Sequence, residues 1–209
     1  MLFRSLGSSK HYEKMEELQK RLKFGKFKFL DEEVDGTSFN GRRLRATKEG
    51  GFLIDMEKFV SERLKEVPLE TGRAQKKTEA ANEKERNDAR AVLGALTWAA
   101  KEGRPDCAAP ASILASTLNR MTIQDILDLN KTVREVKQSH KLCIPIQPIK
   151  IEEIQWGVIT DASYANTTDG ASQGAYGIIC YDDELWKKGH GKANLIHWKS
   201  SKIQRIVNS

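Results

Sequence analysis

The spacing of apolar and polar positions changes period twice along the chain. Near the start, Met15, Leu18 and Leu22 recur at three- and four-residue intervals in YEKMEELQKRL, which predicts one face of a helix. The pattern then alternates in FGKFKFLDEEV, with Phe27 and Phe29 on one side and Lys26 and Lys28 on the other, as in a half-buried strand. FNGRRLRATKEGGFLIDM predicts two further short strands around a turn at Gly50-Gly51, with Arg43 and Arg45 on one face and Leu44 on the opposite one. In MEKFVSERLKEV, Phe59, Val60, Leu64 and Val67 line the inner face of a helix that Pro68 ends.

From Leu69 to about Asp88 the chain is charged, and both a solvated linker and the exposed start of a helix fit that stretch. Three helical periods follow. ARAVLGALTWAAKEG stops at Gly103, Pro105 suits the first turn of the next helix, and Thr122 is an N-cap candidate for TIQDILDLNKTVREVKQ, which buries Ile123, Ile126, Leu127 and Val133. After the proline-punctuated connector CIPIQPI the period returns to that of strands. EEIQWGVITDAS, GAYGIICYDD and ANLIHWKSSK predict three consecutive antiparallel strands between about Glu152 and Lys199. The predicted fold class is mixed α/β of the α+β kind, in three parts: strands and helices in 1–68, helices in 69–140, and a three-stranded antiparallel sheet in 150–209.

Composition narrows the class. Charged residues make up 31% and apolar residues 39% of 209, which describes a globular chain with a heavily charged surface. The net charge of +6 suits a polyanionic partner such as nucleic acid, and ordinary solvated faces account for it equally well. Cys107, Cys143 and Cys180 are odd in number and widely spaced, which argues against a disulfide framework or a zinc site and for a reducing compartment. No apolar run reaches the ~20 residues of a membrane span, and the start has no signal-peptide core, so the expectation is an intracellular protein, cytoplasmic or nuclear, with no membrane partner.

One carboxylate stands out. In GVITDASYAN, Asp161 closes an apolar stretch expected to be a buried first strand, and small residues follow it. An Asp held there by a rigid sheet suits a hard divalent ion such as Mg2+, or it caps the turn after the strand. Asp169, Asp182, Asp183 and Glu184 fall in predicted turns and are placed on the surface. Tyr181-Asp182-Asp183 lacks the residue that separates Tyr from the Asp pair in a polymerase hairpin, so it is assigned to the turn leaving the second strand.

Together, TDASYAN, GAYGIICY and IHWKSSK resemble the opening of the ribonuclease H domain of copia-type long-terminal-repeat retrotransposons. LGALTWAAKEGRPDCAAPASIL is similar to the helix, Arg-Pro-Asp turn and helix that precede that domain. FGKFKFLDEEV and GGFLIDMEKFVSERLKEV resemble the end of the family's reverse transcriptase domain, and the blocks stand in the family's order. The resemblance implies a reverse transcriptase remnant in 1–68, a thumb-like region in 69–140 and a truncated ribonuclease H domain in 150–209, all part of a Pol polyprotein. It implies Asp161 as the first catalytic, metal-binding carboxylate of a site in which two Mg2+ ions hydrolyse the RNA strand of an RNA–DNA hybrid. The next acid would lie beyond Ser209, so the expectation is a chain without the full catalytic set. Lys26, Lys28, Arg43 and Arg45 in the first part, with Lys199, Lys202 and Arg205 at the exit of the third strand, are the candidate phosphate contacts. Two other functions fit the pattern: a non-catalytic nucleic-acid-binding protein from a decayed element, and a helical protein-interaction module.

Overall fold

The computed structural model describes residues 9–22, 30, 33, 35–164 and 170–203. In chain order the elements are α1 (Ser9–Arg21), β1 (Thr37–Phe39), β2 (Arg42–Ala46), β3 (Phe52–Asp55), α2 (Glu57–Arg63), α3 (Glu83–Glu102), α4 (Ala108–Thr117), α5 (Ile123–Gln138), β4 (Cys143–Ile146), β5 (Ile154–Ser163), β6 (Gln173–Asp182), α6 (Asp183–Lys188) and β7 (Ala193–Lys202). The protein is mixed α/β, with two antiparallel sheets and several helices.

The first sheet runs in the order β1-β2-β3-β4. Its first hairpin turns on Asn40 and Gly41, both with positive φ (53° and 80°), the two-residue loop whose twist matches the strands it joins. Gly50, at φ 83°, stands in the predicted second turn. The segment expected to be a connector, CIPIQPI, contributes a strand instead. Pro145 lies opposite Leu53, and because β4 is the sheet's edge, the N–H that proline lacks is no loss to the ladder.

Helices α3, α4 and α5 pack with the α2 segment around one apolar cluster that includes Met56, Val60, Leu64, Val67, Leu93, Leu96, Ile126, Leu129 and Val133. This cluster crosses the expected boundary at residue 68 without a break. Helix α2 stops at Arg63, short of Pro68, and Leu64 is already extended. Asn130 holds the extended run: its Oδ1 accepts from the Val67 N–H at 2.7 Å and its Nδ2 donates to the Val67 carbonyl at 2.9 Å. Helix α3 begins inside the charged stretch, where Asn82 and Glu85 form a reciprocal capping box, and Thr122 with Asp125 forms the same motif at the predicted start of α5. On the predicted apolar face of α1, Leu18 and Leu22 are exposed. Phe27 and Phe29 lie outside the described residues.

The second sheet is the predicted meander, β5-β6-β7, antiparallel throughout. Helix α4 lies against β7 and β6, and the Trp198 indole donates to the Ala100 carbonyl at 2.6 Å. Asn194 ties β7 to the chain after β4, exchanging two hydrogen bonds with the Gln147 backbone at 2.7 and 2.9 Å. The burial expected for β5 is corrected. Trp156, Val158 and Ile159 are 64%, 66% and 61% exposed, because β5 is an edge strand beyond the reach of α4.

Candidate nucleic-acid interface

Asp161 is not the end of its strand. It is the eighth of ten residues in β5, opposite Ala175 and exposed, and its Oδ1 accepts from the Ala162 N–H at 2.8 Å. Asp182, Asp183 and Glu184 are committed elsewhere. Asp183 pairs with Lys187 and Glu184 with Lys188, at 3.5 and 2.8 Å. Asp182 was expected on the surface and is buried instead. Its Oδ1 accepts from the Leu185 N–H at 3.1 Å, capping α6, and its Oδ2 accepts from the Lys192 N–H at 3.0 Å. The Lys192 amide foremost, then that of Leu185, holds this carboxyl below the ordinary carboxylate range against the opposing effect of burial. The turn predicted after β6 is thus a helix cap. Asp169 lies outside the described residues.

These positions decide whether a two-ion Mg2+ centre fits. Among the described residues no three His, Cys, Asp or Glu side chains are grouped as a metal site needs, and Asp161 offers one exposed carboxylate. Two divalent ions about 4 Å apart require several shared oxygens. The described donor set does not fit such a centre.

The basic candidates separate into three groups. Lys26, Lys28 and Arg205 lie outside the described residues. Arg43 and Arg45 do share a face of β2, as alternation predicts, but that face holds the buried Asp55. Arg43 Nε lies 3.1 Å from Asp55 Oδ2, Arg45 Nη2 lies 3.1 Å from the same oxygen, and Arg43 also pairs with Glu57. Burial alone would weaken the Arg43 guanidinium's hold on its proton; the bonds to Asp55 and Glu57 outweigh it and raise its pKa. Both arginines are counter-charges to a carboxylate that is 1% exposed, which leaves only their outer edges for a phosphate.

Lys199 and Lys202 stand on opposite faces of the second sheet. The register places Thr160, Tyr176 and Lys199 side by side, and Asp161, Ala175 and Ser200 in the next row, facing the other way. Lys202 shares the Asp161 face, and Lys199 does not. Two strand spacings, about 10 Å, separate Asp161 from β7. On the Lys199 face, the Tyr176 and His197 rings stack with centroids 5.6 Å apart and planes 15° from parallel. Lys199 and His197 are exposed, and Tyr176 is 36% exposed. Sequence reasoning passed over this aromatic pair; its signal was the alternation of Tyr176 and Ile178 in β6, matched by His197 and Lys199 in β7.

No protein family, curated protein or solved structure matches the chain. Among the described residues no helix is long and apolar enough to cross a membrane.

Proposed function

We propose that the chain is part of a copia-type retrotransposon Pol polyprotein, whose whole carries out RNA-directed DNA synthesis and hydrolysis of RNA in RNA–DNA hybrids. In these 209 residues the proposed activity is binding of the hybrid, not its cleavage. The observation that carries this reading is the β5-β6-β7 meander following the α3–turn–α4 pair, with Asp161 displayed on its first strand and Lys199 on its third. That order of elements is the one the resemblance implies. The remainder of the polyprotein and Mg2+ belong to the proposed whole, and no catalytic step is assigned here to a metal.

The non-catalytic reading is favoured by a specific observation, the exposed Lys199 beside the stacked Tyr176 and His197. A lysine ammonium meets a phosphate oxygen, and the Tyr176 hydroxyl and His197 ring beside it are polar groups that can contact the same backbone, a combination that binds nucleic acid without reading its sequence. The helical-module reading has less support, since the apolar faces of α3, α4 and α5 are spent on their common core. The deciding experiment incubates the 209-residue chain with an end-labelled RNA–DNA hybrid in Mg2+. Retention without cleavage is expected, because one carboxylate cannot hold two ions in register and a misplacement of ~1 Å costs on the order of a hundredfold in rate. Mg2+-dependent cleavage that survives Asp161→Asn would contradict the reading.

A further inference from the structure

On the Lys199 face of the second sheet, one row joins Thr160, Tyr176 and Lys199, and the next joins Val158, Ile178 and His197. Ile178 pairs with His197 and Ile179 with Leu195, so Ile196 is an extra residue of β7, a bulge immediately before His197. A bulge re-aims the side chains beside it. Here the imidazole lies nearly flat against the Tyr176 ring, with centroids 5.6 Å apart, and it stands exposed beside the exposed Lys199. Among the described residues of the three strands, the one carboxylate that alternation puts on this face is Asp182, which is buried and accepts from two backbone amides. The helices meet the opposite face, the one that carries Trp198. Strand β4, which also meets β7, brings no charged side chain.

We propose that His197 is a pH-dependent contact for the phosphates of an RNA–DNA hybrid: protonated, it joins Lys199 in holding them, and neutral, it leaves that work to Lys199. His197 would thereby regulate the site read above as hybrid-binding, and the inference rests on that reading. Imidazole is the side-chain group whose charge changes between pH 5 and 8. The groups that bear on its proton here are Lys199, which opposes a second cation, and the Tyr176 ring, whose face favours a positive charge within about 6 Å of its centroid. No accessible carboxylate of these strands shares the face, so a phosphate is the anion left to neutralise the imidazolium. His140 differs on this point: its Nε2 lies 3.8 Å from Glu57, an acid of the chain itself. A phosphate beside His197 favours the charged ring, so binding and protonation reinforce each other and affinity rises as pH falls.

The test titrates a fluorescent RNA–DNA hybrid at low salt with the 209-residue chain and with His197→Gln, each at about pH 5.5 and about pH 7.5. Gln keeps a polar side chain and cannot titrate. The parent's affinity should be roughly fivefold higher at the lower pH, the worth of one more charge pair in solvent, and its salt slope steeper by about 1. In His197→Gln most of both gains should vanish. The other three histidines titrate in both chains, so the difference between the chains belongs to His197. A second readout needs no variant to bind: in the parent, hybrid should raise the titration midpoint of the His197 ring, followed by NMR, further than that of His140. A pH gain that His197→Gln retains, no gain in either chain, or a His197 midpoint that hybrid leaves in place would overturn the inference while hybrid binding stands. A parent chain that binds at neither pH would overturn the hybrid-binding reading, and the inference with it.

Discussion

Asn130 on α5 fastens the run after α2 through both atoms of its amide, and it does so while 6% exposed. Asn130→Ala strands a buried N–H and a buried carbonyl at Val67, and should lower the unfolding free energy by about 2–4 kcal/mol in urea titrations. Cys107 tests burial by reactivity. Burial first, with Asp106 adding to it, pushes its thiol up to about 12, so a water-soluble thiol reagent at pH 8 should leave Cys107 untouched in the native chain and label it on unfolding. Asp182 tests electrostatics. Its folded pKa is depressed, so its contribution to stability is complete above the unfolded value of about 3.9 and is lost as pH falls through the lower folded value. Asp182→Asn should flatten that acid limb, and an unchanged limb would mean that other carboxylates govern it.

Elements were legible in the sequence where a local rule decides them. The N-cap at Thr122, the hairpin around Gly50 and the three strands after residue 150 follow from caps, turn residues and period, and the structure has all of them. Asn40-Gly41 carried an equally plain turn signal for the first hairpin. What the sequence hid was decided by neighbours. Nothing local distinguishes CIPIQPI as a strand, because its pairing depends on β3, nearly ninety residues earlier. The apolar run of β5 had the composition of a buried strand, but burial needs a layer above it, and α4 lies chiefly against β7 and β6. Asp161 consequently stands in open solvent rather than in a cleft. The attachment of the second sheet to the helices is testable at this scale. Trp198→Ala removes a half-buried ring and its bond to Ala100, at a cost of about 2–3 kcal/mol. Amide exchange should quicken in β6 and β7 while α5 stays protected; equal acceleration in α5 would show that sheet and helices unfold as one unit.

On the scale of the whole molecule, the basic candidates among the described residues do not form one continuous track. Arg43 and Arg45 are spent on Asp55, and Lys199 faces away from Asp161, so a hybrid held on the Lys199 face is not presented to that carboxylate. On the proposed reading, the surface that binds and the carboxylate Asp161 are on different faces of the sheet. The measurement closest to this claim is fluorescence anisotropy of a labelled RNA–DNA hybrid titrated with the 209-residue chain at low and at physiological salt, beside Lys199→Glu. Affinity should fall as salt rises, because phosphate contacts release counterions, and Lys199→Glu should weaken low-salt binding severalfold while leaving the fold intact by circular dichroism. Absence of binding at low salt, or an affinity indifferent to both salt and Lys199→Glu, would contradict the account.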